Sequence, residues 1–345
     1  TVVIAAHNEV DVVVDRVRNL LRLEPPPGGL EIIVASDGST DGTAAAASAL
    51  GDPRVHVLDL PRGGRARTHN RAVVSAPGEL VVFTDARTTF DRACLERLAA
   101  AFEDPRVGCA VGRLVYGPAV GTIGDQTAAY WQLETRLRRW ASDAGLLAVG
   151  TGCCMAVRKS LFRELQPDED VDDATPLDVL LQGYRVVFVP GALASDEPPS
   201  TPANEIRARA RMTVLASTAI LRRSRLLNPV AHPRIAFAVW SHRILRWLTP
   251  VWAAGVLVAS AALAGRPFYR MALTAQVLVY GLALVGWMAG TRGTSVAALR
   301  VPFGFVVWNV GFALGLVRAL RGKRVTAYAP IAAGRDVTAR PVANE

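Results

Sequence analysis

Residues 31–43 have the sequence EIIVASDGSTDGT, an apolar run followed by a turn rich in Asp, Gly and Ser. The run EIIVAS contains the β-branched residues that are typical of a buried strand. Gly38 and Gly42 allow the chain to turn tightly, and the Thr and Asp residues beside them can cap a helix that follows. The stretch therefore predicts a strand, a turn and a helix, with Asp37 directly after the strand.

The same alternation of short apolar strands and amphipathic helices continues to about residue 200. It predicts an α/β fold with a mainly parallel, Rossmann-like sheet that is covered by helices on both faces. We therefore predict one domain over residues 1–200. Its predicted strands are 2–5, 31–36, 55–60, 80–85, 107–114 and 184–190, and its predicted helices are 9–23, 41–50, 65–75, 91–103 and 174–183.

Polar residues follow several of these strands, namely His7 to Glu9, Asp37 and Asp85. Parallel sheets bind ligands at the carboxyl ends of their strands, so these residues predict a binding site. Asp and Ser at such turns are also common helix caps, and it is their convergence at one sheet edge that favours a site. The segment RGGRARTHN (62–70) lies between them in sequence and offers glycine amides and arginine charges to a diphosphate.

The phosphate-binding motifs of two large enzyme classes are absent. No GxGxxG or GxxxxGK[ST] occurs in the sequence, which argues against a dinucleotide-dependent dehydrogenase and against a P-loop enzyme. The four cysteines show no CxxC spacing, so we expect buried thiols in a reducing compartment. The chain opens on TVVIAA without a Met, which is compatible with a fragment that lacks an N-terminal extension.

The charge distribution divides the chain in two. Residues 1–205 contain 20 basic and 28 acidic side chains, whereas residues 206–335 contain 18 basic and no acidic side chains. The basic part also contains the long apolar runs that give the chain a mean hydropathy of +0.25. This combination favours attachment to an anionic lipid membrane and argues against a nucleic-acid-binding protein.

Residues 201–248 are predicted to form basic, amphipathic, interfacial helices, at 203–225 and 234–248. Residues 249–320 are the predicted membrane region, and residues 321–345 form a basic and polar tail. The apolar segments 249–265, 271–290 and 301–317 predict membrane helices. Arginine-rich flanks precede the first segment and follow the third. The positive-inside rule would put both flanks in the cytoplasm, but three full spans place the two ends on opposite sides of the membrane. Either one segment is interfacial or re-entrant, or the positive-inside rule fails here.

Eight motifs in sequence order resemble those of family 2 glycosyltransferases with the GT-A fold. The similarity is to membrane-integrated bacterial exopolysaccharide enzymes related to cellulose, hyaluronan and poly-N-acetylglucosamine synthases. It extends over nearly the whole chain. The motifs are AAHNE, DGSTD, RGGRARTHNRAV, FTDA, YWQLETRLRRW, GTGCCMAVRKSLF, VDD followed by LLQGYRVVFVP, and SHRILRWLTP.

This resemblance implies inverting, metal-assisted transfer of a sugar from a nucleotide-sugar donor, with a UDP-sugar expected, to a glycan or lipid-linked acceptor. It implies a multi-pass protein of the bacterial inner membrane with a cytoplasmic catalytic domain that contacts membrane lipids. Two alternatives remain. One is a polyprenyl-phosphate monoglycosyltransferase, and the other is a non-catalytic GT-A-like subunit of a synthase complex.

The resemblance also implies roles for particular residues. Ala6, Glu9 and Asp37 would hold the nucleoside, and Arg65 with Asn70 close behind would lie near the base or the diphosphate. Asp85 of the D-x-D-like element would bind Mg²⁺ or Mn²⁺.

The general base would come from the pair Asp172 and Asp173. Motif matching favours Asp173, whereas counting back from Gly183 favours Asp172. Both residues precede an amphipathic helix, so they could also serve as helix caps.

Two of the departures from the family pattern concern candidate site residues. Arg87 stands at the second acidic position of the D-x-D element, which leaves a metal with fewer protein ligands. The Q-x-x-R-W signature of processive synthases has no Gln or Trp here, but Arg209 and Arg211 remain as candidate diphosphate or acceptor contacts. Trp131 is a further acceptor-side candidate, although an aromatic stripe at helical spacing is more often core.

Overall fold

A mixed sheet of eight strands organises the amino-terminal part of the chain. The computed structural model describes residues 1–116, 122–196, 201–291 and 296–326, and only the backbone of residues 122–132, 291 and 297. The strands are β1 (Val2–Ala6), β2 (Ile32–Asp37), β3 (Val55–Leu60), β4 (Leu80–Asp85), β5 (Thr89–Phe90), β6 (Val107–Tyr116), β7 (Met155–Arg158) and β8 (Arg185–Asp196).

The strand order is β3-β2-β1-β4-β7-β6-β8-β5. The pairs β1 with β2, β1 with β4, β2 with β3 and β6 with β8 are parallel, while β7 is antiparallel to both of its neighbours and β5 is antiparallel to β8. The six predicted strands and the mainly parallel sheet are confirmed. The sequence did not predict β5 and β7, because two to four residues are too few to show a period.

Helices cover both faces of this sheet. They are α1 (Val10–Leu21), α2 (Thr43–Ser48), α3 (Arg65–Ser75), α4 (Cys94–Ala100), α5 (Thr122–Asp143) and α6 (Val171–Leu181). The last of them begins three residues before the predicted start at 174, so Asp172 and Asp173 lie in its first turn. Asp170 caps α6 by accepting the Val171 amide at 2.9 Å.

Two hydrophobic cores lie on opposite sides of the sheet. Side chains alternate between the faces of a strand, so Val3 belongs to one core and Ile4 to the other. Phe83 of β4 is fully buried in the first core, together with apolar residues of α3, α6 and the carboxyl-terminal helices. The sheet is therefore rigid at the strands whose ends carry the candidate site residues.

The carboxyl-terminal part is helical. It contains α7 (Pro202–Arg222), α8 (Pro233–Val239), a π-helical turn (Trp240–Ile244), α9 (Leu245–Trp247), α10 (Thr249–Ala262), α11 (Pro267–Thr291) and α12 (Ala297–Leu320). Pro267–Gly290 and Ala298–Leu320 are long and apolar enough to cross a membrane, and they contain the predicted segments 271–290 and 301–317.

The predicted segment 249–265 differs from the other two. It corresponds to α10, whose 14 residues extend only about 21 Å, less than the roughly 30 Å of a bilayer core. It passes as a membrane span only when joined to residues 233–247, across a bend of 57°. The described residues thus contain two candidate spans, or three if the bent pair counts as one.

α7 packs along α12 through two small residues. A Cβ added to Gly311 or Gly315 of α12 would lie 2.6 Å from the Cβ of Arg209 or Thr213 of α7, so only glycine permits this approach. The inner face of α7 is buried, including Ala210 and Val214. The helix predicted at 203–225 is therefore packed between α6 and a candidate membrane helix.

An ion-pair cluster fastens the end of α7 to α6. The Arg223 guanidinium contacts both carboxylate oxygens of Asp178 at 2.6 Å and Glu169 Oε1 at 2.6 Å. Arg222 lies 2.6 Å from Asp168, to which Arg324 beyond α12 also lies close, at 3.5 Å. This cluster holds α6, whose first turn contains Asp172 and Asp173.

Candidate active site

A cavity of about 300 Å³ lies at the carboxyl ends of β1, β2 and β4. We call it the first cavity. Charged side chains from several elements meet there because parallel strands end at one edge of the sheet. Its lining comprises Ala5, Ala6, His7, Glu9, Asp37, Arg62, Gly64, Arg65, Thr68, Asp85, Ala86, Arg87, Asp196 and Arg211.

A second cavity, of about 290 Å³, lies beside the first, towards α5, α7, α9 and α12. The two cavities share Arg65, Asp85, Asp196 and Arg211, which we call the common wall. The second cavity also contains both members of the Asp172 and Asp173 pair. Apolar residues of the carboxyl-terminal helices, among them Trp247 and Phe312, form another side of it.

Asp37 is fixed at the amino end of α3. Its carboxylate accepts the Gly63 amide at 2.7 Å and the Gly64 amide at 3.1 Å, and Arg62 Nη1 donates to it at 2.6 Å. The neighbouring Gly38 has a φ of +61° and packs on the Arg62 backbone, where a Cβ would lie 2.7 Å from the Arg62 nitrogen. Glycine is required at this position, and it lets the DGS turn carry Asp37 to the start of α3.

Arg87 binds Glu9 across the first cavity. Its Nη2 lies 2.8 Å from Glu9 Oε2, and its Nε donates to Glu9 Oε1 at 3.2 Å. Thr43 Oγ1 accepts the Glu9 backbone amide at 2.9 Å, so α1 and α2 hold Glu9 in place. The arginine that replaces the second acid of the D-x-D element thus compensates the charge of a buried carboxylate.

Arg65 bridges the strand end and the start of α6. Its Nη2 lies 2.6 Å from Asp85 Oδ1, and its Nε lies 3.6 Å from Asp170 Oδ1. It is the first residue of α3, directly after Gly64, whose φ is +86°. Arg65 therefore connects the common wall to the helix of the aspartate pair.

Asp172 and Asp173 are both partly buried but have different partners. Arg243 Nη2 donates to Asp173 Oδ1 at 2.9 Å, whereas no ion pair joins Asp172 to a described residue. Burial, together with the charges of Asp170 and Asp173, raises the pKa of Asp172 to about 8. Burial also raises the pKa of Asp173, but the Arg243 charge opposes this shift. The charges of Arg65 and Arg243 oppose the raised pKa of Asp172 as well, but among the described residues only Asp173 of this pair has a direct ion pair.

A network of arginines and one glutamate lines the far side of the second cavity. Burial opposes the ionisation of Glu134, but the charges of Arg138 and Arg246 lower its pKa to about 2. Arg138 also donates to Thr151, beside Gly152 of the cavity lining. Sequence reasoning missed Arg138, Arg243 and Arg246 as site residues, although the SHRILRWLTP motif contains the last two.

Most of the sequence-predicted residues meet in these cavities. Ala6, Glu9, Asp37, Arg65 and Asp85 line the first, and Asp172, Asp173, Arg209 and Arg211 line the second. The side chain of Trp131 lies outside the described residues.

Asn70 is not brought to either cavity. Its amide donates to the Leu165 carbonyl and accepts the Leu165 N–H, each at 2.9 Å, so it joins α3 to the segment before α6. Asp196 was missed because β8 was predicted to end at 190 but extends six residues further.

The common wall offers two carboxylates, Asp85 and Asp196, to a cation. In the part of the chain that the structure describes, no three His, Cys, Asp or Glu side chains are grouped as a complete metal site. The first cavity is lined by four arginines and four carboxylates, so its formal charges cancel.

Parts of this chain are similar to known proteins. Residues 1–166 match the family model "Glycosyl transferase family 2". An N-acetylglucosaminyltransferase of Rhizobium leguminosarum bv. viciae is 25% identical over 217 residues, which are 58% of this chain and 51% of the relative. A poly-beta-1,6-N-acetyl-D-glucosamine synthase of Staphylococcus aureus is 27% identical over 201 residues, or 56% of this chain and 48% of the relative. The chain spans about half the length of these curated relatives.

A solved structure shares the fold. The mannosyltransferase PcManGT from Pyrobaculum calidifontis, in complex with GDP-Man and Mn²⁺, superposes with a TM-score of 0.56 at 22% sequence identity. The superposition covers 94% of this chain and 87% of that chain. The similarity therefore extends beyond the sheet into the carboxyl-terminal helices.

Proposed function

We propose that the chain transfers a sugar, with inversion, from a nucleotide-sugar donor to a glycan or lipid-linked acceptor, because residues 1–166 match the family model of family 2 glycosyltransferases. A UDP-sugar is the proposed donor, and bacterial polysaccharide biosynthesis is the proposed setting. The supporting observation is the common wall. A donor in the first cavity and an acceptor in the second would meet there, beside Arg65 and Asp85.

The donor would lie along the strand ends. Ala6, Glu9 and Asp37 surround the part of the first cavity that suits a nucleoside, and the amino end of α3 suits a diphosphate. Arg65 and Arg211 reach this region from opposite sides, since one lies on α3 and the other on α7. Asn70 would contribute by fixing α3 rather than by contacting the donor.

A divalent metal fits the charge of this site. Asp85 and Asp196 would hold Mg²⁺ or Mn²⁺ together with diphosphate oxygens, and oxygen ligands of this kind suit both ions. Bound there, the metal would stabilise the negative charge that develops on the departing diphosphate. The cancelled charges of the lining and the Mn²⁺ of the structural neighbour support this assignment.

Asp172 is the proposed general base. The acceptor hydroxyl oxygen would form a bond to the anomeric carbon while the bond from that carbon to the diphosphate oxygen breaks. The hydroxyl proton would pass to Asp172, and the nucleoside diphosphate would leave. We assign this role to Asp172 rather than Asp173 because Arg243 compensates Asp173, whereas Asp172 faces Gly152 in the cavity without an ion pair.

A polyprenyl-phosphate monoglycosyltransferase is the second candidate function. The second cavity combines six arginines with the apolar side chains of Trp247 and Phe312, which suits an acceptor that has both a phosphate and a hydrocarbon chain. A single-sugar lipid product would support this candidate, whereas a polymer would refute it. Arg209 and Arg211 would contact the acceptor or the diphosphate in either case.

The proposed organisation is a catalytic domain (1–200), interfacial helices (201–248), a membrane region (249–320) and a basic tail (321–345). Two full spans, Pro267–Gly290 and Ala298–Leu320, would return the chain to the side on which it entered. The arginines before and after them would then share the cytoplasmic side, as the positive-inside rule requires. We propose a multi-pass protein of the bacterial inner membrane with a cytoplasmic active site.

A donor screen tests the proposal. The full chain in lipid nanodiscs is incubated with a panel of labelled UDP- and GDP-sugars, Mn²⁺ and a lipid extract, and products are separated by chromatography. Transfer from one UDP-sugar, lost in Asp172→Asn, is expected. If no sugar is transferred and calorimetry detects no Mn²⁺-dependent UDP binding, the chain is a non-catalytic subunit instead.

A further inference from the structure

The second half of α5 has an apolar face that is exposed. Leu133 and Trp140 are 53% and 63% exposed, and Leu137 is half-buried between them. Their spacing of four and three residues places all three side chains on one side of the helix. Glu134 and Arg138, on the other side, are buried and paired. The helix thus turns the Glu134 and Arg138 ion pair inward and these large apolar residues outward.

The charge around this face is mainly positive. Arg136 and Arg139 are exposed beside it, and Asp143 at the end of the helix is the exposed acid nearby. An exposed tryptophan flanked by arginines is the composition that membrane interfaces favour, since the ring suits the headgroup layer and the guanidinium groups suit anionic lipid. We call Leu133, Leu137 and Trp140 the α5 face.

The position of α5 places this face near the candidate membrane helices. α5 packs against α12, and Glu134 Oε2 lies 3.4 Å from Arg246 of α9. Ala141, next to Trp140, lines a small apolar cavity of about 90 Å³ together with Phe237 of α8. Phe237 is itself 65% exposed. α5 and α8 thus lie next to each other, and each has an exposed large apolar side chain, Trp140 on α5 and Phe237 on α8.

We propose that the α5 face is a membrane-docking surface that lies in the headgroup layer of an anionic bilayer. The catalytic domain then contacts the membrane through its own helix, in addition to the amphipathic and membrane helices that follow it. Docking fixes the wall of the second cavity, because Glu134 and Arg138 on the inner side of the same helix turns line that cavity. The proposal does not depend on which sugar is transferred.

Site-specific fluorescence tests this contact in the full chain. Trp140→Cys is labelled with bimane in nanodiscs that contain lipids with a nitroxide near the headgroup. The four native cysteines are buried and need no removal. His56→Cys, on exposed β3, is the control, because six strand spacings of about 4.8 Å separate β3 from β8, on which α5 packs. We expect the nitroxide to quench position 140 strongly and position 56 very little.

A second arm tests the lipid charge. Arg136→Glu with Arg139→Glu should reduce quenching at position 140 in nanodiscs that contain phosphatidylglycerol and should remove its dependence on that lipid. Arg18→Glu with Arg22→Glu, at exposed positions of α1 and its cap, is the control. It should change neither the quenching at position 140 nor its dependence on phosphatidylglycerol. Melting temperatures of all variants show whether they remain folded.

Two results would overturn the proposal. Quenching at position 140 no greater than at position 56 means that the face is in water. Blue-shifted bimane emission without nitroxide quenching means that a second copy of the chain, and not lipid, covers it.

Discussion

Arg65 Nη2 lies 2.6 Å from Asp85 Oδ1 in the common wall between the two cavities. Arg65, proposed to contact the diphosphate, and Asp85, proposed to hold the metal, thus compensate each other. In the proposed reaction, a metal and a donor would replace this ion pair with two new ones, from Arg65 to phosphate and from the metal to Asp85. Metal and donor are therefore expected to bind cooperatively.

Asp85→Asn should abolish this cooperativity. The variant loses the carboxylate that is proposed to hold the metal, so transfer should fall by at least about 100-fold. The dependence of the remaining rate on Mn²⁺ concentration should also weaken. Asp59→Asn, at an exposed position of β3, is the control and should behave as the unchanged protein does. Unaltered Mn²⁺ activation in Asp85→Asn would show that the metal binds elsewhere.

Asp172→Asn and Asp173→Asn should separate the two candidates for the base. Loss of a general base slows the chemical step by about 10²- to 10⁴-fold, so kcat of Asp172→Asn should fall by that amount while donor affinity is retained. Asp173→Asn leaves Arg243 without its partner and should have the smaller effect on kcat. Single-turnover rates and calorimetric donor affinities measure the two effects. The opposite ranking would move the assignment to Asp173.

The rate of transfer should rise with pH. Burial and two neighbouring carboxylates raise the pKa of Asp172 to about 8, and only its ionised form accepts a proton. The single-turnover rate is therefore expected to increase up to about pH 8 and then level off. Flat rates between pH 6 and 9 would contradict the role of Asp172.

The raised pKa of Asp172 also predicts that the stability of the folded protein decreases as pH rises. The folded protein retains the Asp172 proton above pH 4, where the unfolded chain has lost it, so the contribution of this group to stability falls as pH rises from about 4 to 8. Asp172→Asn should lose less stability than the unchanged protein over that range. Melting temperatures recorded in the same nanodiscs across this pH range provide the measurement.

Arg223→Met should destabilise the protein strongly. It leaves the buried carboxylate of Glu169 and the partly buried carboxylate of Asp178 without the guanidinium that contacts them at 2.6 Å. Breaking one side of a buried ion pair costs about 3 to 5 kcal/mol of unfolding free energy. Arg225→Met removes an exposed arginine nearby and should cost little. Thermal unfolding in detergent would compare the two, and equal melting temperatures would contradict the structural role of the cluster.

Gly315→Val tests the packing of α7 on α12. An added Cβ would lie 2.6 Å from Thr213 Cβ, so the two helices would have to separate. Gly255→Val, in α10, meets no atom within 4 Å and is the matched control. We expect a lower melting temperature and lower transfer for Gly315→Val alone, since Phe312 of the displaced helix lines the second cavity.

The sequence predicted the sheet because its six longer strands each show a strand pattern bounded by turns. It also predicted the strand-end acids Asp37 and Asp85, since parallel strands end at one edge. Asp196 was not predicted as a site residue because Pro190 and Gly191 suggested the end of β8. The strand in fact continues to Asp196 through an irregular register with β6. The partners of Asp172 and Asp173 could not be foreseen, because Arg243 approaches from 70 residues further along the chain.

The packing of α12 on α7 has a consequence for the order in which the protein matures. A ribosome that has completed Asp196 has made every strand of the sheet, but Phe312 has not yet been synthesised. The second cavity therefore acquires Phe312 only after α12 has been made and has packed on α7. A nascent chain released before that point would have the sheet without this side of the cavity.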